Sequence, residues 1–89
     1  MTAPPFEWSA TITVRVDTPS VLDWLERALG PEATREVPRA RAELARGTGN
    51  DLELTIFARD SGAMRAALNT YLGWVHLALA TARAADRSA

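Results

Sequence analysis

The sequence predicts an α+β domain: a three-stranded antiparallel or mixed sheet, order 1-3-2, with two helices on one face. Three observations carry this expectation. Apolar and polar residues alternate with a period of two in three short segments. Two other segments repeat apolar residues at helical spacing. A glycine-rich turn, Gly47-Thr48-Gly49-Asn50, joins the second and third strand segments as a hairpin.

From Trp8 to Val16, residues Trp8, Ala10, Ile12, Val14 and Val16 point one way, and Ser9, Thr11, Thr13 and Arg15 the other. That is a half-buried strand, with Trp8 expected in the core. Asp17-Thr18-Pro19 starts a helix, with a capping side chain followed by proline at the first helical position. Val21, Leu22, Trp24, Leu25, Ala28 and Leu29 form its apolar face, and Gly30-Pro31 is expected to end it. A loop is expected over Glu32 to Pro38. Alternation returns from Arg39, with Ala40, Ala42 and Leu44 inward, and after the turn with Leu52, Leu54, Ile56 and Ala58 inward. Two strands flanking a helix require a right-handed crossover, and the third strand fits between them.

The last helix begins at a cap supplied by Asp60 or Ser61. Its residues turn by about 100° each, so their facing follows from position. Met64, Leu68, Tyr71, Val75, Leu79 and Ala82 form one apolar stripe; Ala63, Ala67, Trp74, Leu77 and Ala78 form a second beside it. Arg65, Asn69, Gly73, His76 and Arg83 line the remaining side. One stripe suffices to face a core, so the second, with its tryptophan, is expected to be covered by another protein. This points to a binding module.

The 89 residues allow one domain with a modest core, ordered over about 6–84 with flexible ends, and a chain this small gains from oligomerisation. The absence of cysteine excludes disulfides and thiol chemistry. Neither a leader pattern nor an apolar stretch of membrane-spanning length appears, so a cytoplasmic protein without membrane contact is expected. A formal charge of −1 argues against a wholly basic nucleic-acid binder. All ten basic residues are arginines, which together with seventeen alanines reads as codon bias in a GC-rich genome.

No catalytic set emerges. His76 is the one histidine, it has no carboxylate one helical turn away, and no serine motif accompanies it. Asp23 and Glu26 read as a solvated helix face. The glycine turn joins two strands rather than preceding a helix, so it is no phosphate cradle. No metal or cofactor is expected. Arg35, Arg39, Arg41 and Arg46 make a local basic strip, partly offset by Glu36 and Glu43 and without an aromatic stacking platform.

The segment Asp60 to Val75, centred on Met64-Arg65-Ala66-Ala67-Leu68-Asn69-Thr70-Tyr71-Leu72, resembles the signature helix of the small dimerisation subunit of the KEOPS complex, the Pcc or CTAG family. That family reads there as a capping aspartate, Leu-Arg-Ala, then Asn-Ser-Tyr-Leu-Arg-Trp. Arg65, Ala66, Asn69, Tyr71, Leu72 and Trp74 match, while Met64, Thr70 and Gly73 replace leucine, serine and arginine. Leu29-Gly30-Pro31-Glu32 is similar to the family's helix-to-loop step, and the element order agrees.

The resemblance implies a non-catalytic scaffold in tRNA threonylcarbamoyladenosine modification. It implies a homodimer that binds the catalytic subunit of the complex through its two helices, with tRNA met only as part of that complex. Partner contact would then fall on Trp24, Ala63, Ala67, Asn69, Thr70, Trp74 and Leu77, and an auxiliary RNA contact on Arg39, Arg41 and Arg65. Loss of the arginine at Gly73 weakens the RNA expectation. The alternatives are a KH-like RNA-binding module, whose Gly-x-x-Gly clamp is missing here, and a ferredoxin-like small-ligand sensor.

Overall fold

A computed structural model describes residues 6–34 and 39–88. The elements run β1 (Trp8–Arg15), α1 (Pro19–Thr34), β2 (Ala40–Arg46), β3 (Asp51–Ala58) and α2 (Ser61–Ser88). The sheet order is β1-β3-β2, with both neighbours antiparallel to β3, as the sequence predicts. Trp8 aligns with Ala58 on one side of the ladder and Ala40 aligns with Ala58 on the other, so the inward rows register across all three strands.

The period of two is explained by that ladder. Leu52, Leu54, Ile56 and Ala58 of β3 are buried, while Ala10, Ile12, Val14, Ala42 and Leu44 on its neighbours are half-buried against the same core. Thr11 and Thr55 meet on the outward face, with their hydroxyl oxygens 3.1 Å apart. The hairpin closes through the Gly47 N–H donating to the Asp51 carbonyl at 3.0 Å. Gly49 adopts φ +61°, a conformation that only glycine takes up readily.

Both helix starts are capped as expected. The Val21 N–H donates to Thr18 Oγ1 at 3.2 Å, and the Ala63 N–H donates to Asp60 Oδ1 at 2.8 Å. The end of α1 differs from expectation. α1 continues past Gly30-Pro31 to Thr34, although Pro31 has no N–H for the helical ladder, because Leu29 and Ala33 both bury on its inner side. Glu32 to Thr34 are therefore helix rather than loop, and Arg35 to Pro38 lie outside the described residues. α2 runs through Ser88.

α1 packs over β2 and α2 over β3, and the two helices pack against each other. β1 receives little cover from either, which corrects the placement of Trp8. Trp8 is 48% exposed, at the end of an edge strand.

Tyr71 fills the centre of the helix–sheet interface and is buried, yet its hydroxyl has no hydrogen-bond partner among the described residues. Burial pushes its phenol pKa up. Because an unpaired buried hydroxyl costs free energy, Tyr71→Phe is expected to stabilise the domain by on the order of 1 kcal/mol. A urea titration reads this as a higher midpoint; a loss of that size would instead mean that water holds the hydroxyl.

Candidate partner-binding surface

The outward side of the helix pair carries apolar area that the core does not use. Val21, Leu22, Leu25 and Leu29 fill the inner face of α1, but Trp24 is 48% exposed. On α2, Met64, Ala67, Tyr71, Val75, Ala78 and Ala82 turn inward, while Leu77 is 66% exposed.

Turns of about 100° per residue place Thr70, Trp74 and Leu77 along one flank of α2, and Leu68, Leu72 and Leu79 along the other. On α1, Glu26 reaches Arg46 of β2, so Trp24, on the opposite flank, is directed toward α2. A right-handed β1–α1–β2 connection turns the Thr70–Trp74–Leu77 flank toward α1. Trp24, Thr70, Trp74 and Leu77 therefore border one surface along the helix pair. Trp74 is half-buried and meets Tyr71 edge-on, with ring centroids 5.1 Å apart, which fixes its ring at the margin of the core.

Two expected partner residues do not belong to that surface. Ala67 is fully buried and Ala63 nearly so, as is Ala78, all within the chain's own core. Their small side chains admit this chain's α1 and sheet rather than a foreign helix. Asn69 is exposed but lies well round the helix from Trp74. Arg65 is exposed on the flank away from α1.

The expected basic strip is largely neutralised within the chain. Arg39 pairs with Asp60, and Arg41 lies 3.0 Å from Glu43. Arg46 reaches Asp23 at 2.6 Å and Glu26 at 2.9 Å, so those two acids, solvated as expected, also clamp α1 to β2. Arg35 and Glu36 lie outside the described residues. Two rings do lie beside the strip: the Arg41 guanidinium sits 5.5 Å from the Phe6 ring centroid and 4.8 Å from that of Phe57.

His76 is exposed, and no group of metal-ligating side chains occurs among the described residues. An open polar depression at the hairpin is lined by Arg15, Val16, Thr48, Gly49, Asn50 and Asp51. Its carboxylate, Asp51, already accepts from the Arg15 guanidinium at 3.0 Å. No helix among the described residues is long and apolar enough to cross a membrane.

The fold and this surface define a class: a small α+β domain whose helix pair presents apolar side chains outward. Residues 9–83 match the family described as transcription factor Pcc1, and the chain belongs to that family of KEOPS-complex subunits. The family's association with KEOPS and with tRNA modification follows from that membership. A search among curated proteins gave no match.

Arg46 holds the Glu26 carboxyl below its ordinary value of 4.5, chiefly by hydrogen bonding. A carboxylate depressed in the folded state contributes stability above its unfolded pKa and loses it as pH falls through the folded pKa. Arg46→Ala is expected to return the Glu26 titration, followed by carboxyl NMR, upward toward 4.5. An unmoved titration would show that the clamp does not form in solution.

Proposed function

We propose that the chain is a non-catalytic scaffold of the KEOPS complex that holds the threonylcarbamoyl-transferring catalytic subunit through the outward surface of its helix pair and forms a homodimer. One observation carries the reading: Leu77 and Trp24 remain exposed on a helix pair whose inner side is already filled. A partner that supplies its own helices would cover them, leaving Trp24 and Trp74 as aromatic anchors. With Arg39, Arg41 and Arg46 of the basic strip paired to the chain's own carboxylates, the chain meets tRNA through the assembled complex rather than alone. The proposed site of action is the cytoplasm, and no cofactor is needed.

Trp24→Arg and Leu77→Arg test this, because each places a charge at an exposed position. Each is expected to weaken capture of the catalytic subunit by on the order of 30-fold or more. Thermal melts should stay close to that of the parent. Retained binding by both variants would sink the assignment. Tight, salt-sensitive tRNA binding by the isolated chain would favour an RNA-binding module instead.

A further inference from the structure

Gly73 stands in the middle of α2, and nothing within the chain calls for a glycine there. Its backbone is helical, with no positive φ. A Cβ added to it would meet nothing within 4 Å beyond its own turn of helix, so no neighbour needs the space. Glycine is the poorest helix former after proline, because it gives up the most backbone freedom on folding. The free chain is thus weakened at this position without a compensating contact. Gly30, also inside a helix, has a local reason: it precedes Pro31, whose ring crowds the Cβ of a helical residue before it. The surroundings of Gly73 are distinctive. Turns of about 100° put it on the outermost line of α2, between the Thr70–Trp74–Leu77 flank and the Leu68–Leu72–Leu79 flank. Leu77, one turn further on, is exposed, and Leu72 on the other side is 46% exposed. The missing side chain leaves a notch between two projecting leucines. This stretch of α2 is also uncharged: from Ala66 to Ala82, a span of about 25 Å, no Asp, Glu, Lys or Arg occurs, in a chain that is 24% charged.

We propose that a helix of the catalytic subunit crosses α2 at Gly73 and seats a large apolar side chain in the notch between Leu72 and Leu77. This rests on the helix-face contact of the proposed function and deepens it by naming the residue at which the two proteins approach most closely. Three features select the occupant. The absence of charge suits an apolar helix face and offers nothing to phosphates, so a nucleic-acid backbone does not fit. The uncharged span accommodates a helix of about four to five turns. The notch is continuous with Thr70, Trp74 and Leu77, which already border the outward surface of the helix pair. Helix axes pack about 8–10 Å apart according to the side chains at the crossing, and a glycine there permits the short end of that range. The added closeness brings partner atoms into contact with the α2 backbone as well as with the leucines. Glycine at position 73 therefore weakens the helix in the free chain and tightens the bound pair, so its effects on folding and on binding have opposite signs.

Gly73→Ala and Gly73→Leu separate the two effects. Both side chains favour helix over glycine and find open space in the free chain, so both are expected to raise the urea midpoint of the isolated protein. Capture of the catalytic subunit, followed by titration calorimetry, is expected to weaken on the order of tenfold for Gly73→Leu and less for Gly73→Ala, because the added atoms fill the notch. A midpoint that falls in either variant would give the glycine a role in the chain's own packing and overturn the proposal. Undiminished capture by Gly73→Leu would overturn it as well. Trp24→Arg and Leu77→Arg are titrated alongside. If those two lose capture while Gly73→Leu keeps it, the helix-face reading stands without this crossing point. If Gly73→Leu alone loses capture, the crossing point stands and the proposed anchors do not.

Discussion

The inward row of β3, from Leu52 through Leu54 and Ile56 to Ala58, lies beneath the helix layer, and the remaining structure depends on that contact. β3 is also the strand to which both neighbours bond, so one segment supplies the floor of the core and the register of the whole sheet. α2 lies directly over the row, and its inward residues there include alanines at 67 and 78, short enough to bring helix, sheet and α1 close together. Close approach multiplies weak dispersion contacts between the layers.

The helix layer is displaced toward β2, and this offset divides the surface. On the β2 side, acids of α1 reach down to Arg46 and tie the layers together. On the β1 side no such tie occurs among the described residues, and the apolar inner row stays partly open. The front of the helix pair is a third region, where Trp24 and Leu77 stay exposed. Packing, charge and exposure are thus distributed by a single geometric choice: which strands the two helices cover.

Much of the architecture is legible in the sequence because it follows from periodicity and from short-range chemistry. Thr11 and Thr13 alternate with Ile12 and Val14 because one face of the sheet is covered and the other is not. Thr18 and Asp60 cap the helices whose starts they mark. Contacts between distant positions carry no such trace. Arg46 finds Asp23 and Glu26 only once the helix is folded over the strand, and Arg41 finds Phe57 only through the register with β3. The breadth of the apolar arc on α2 was readable, but an arc records how much is covered and not by whom. Ala63, Ala67 and Ala78 are covered from within, whereas Leu77 is not. The same ambiguity affects Trp8, whose alternation gives its side of the sheet and says nothing of what lies above it. Gly30-Pro31 reads locally as a stop, and burial of Ala33 outweighs that local signal.

Asp60 uses its two carboxylate oxygens for two different elements. Oδ1 accepts the Ala63 N–H at the start of α2, and Oδ2 meets the Arg39 guanidinium just before β2. Arg39 itself holds φ at 63°, a conformation uncommon outside glycine, and its carbonyl accepts the Arg59 N–H at 3.0 Å. The first turn of α2 and the entry to β2 therefore share one anchor, although all of β3 separates them along the chain. Loosening either end releases a group on which the other relies, so this corner opens as a unit or not at all. Free energies measured by altering Arg39 and Asp60 separately would not add, and the shortfall would measure how far two elements distant in sequence behave as one.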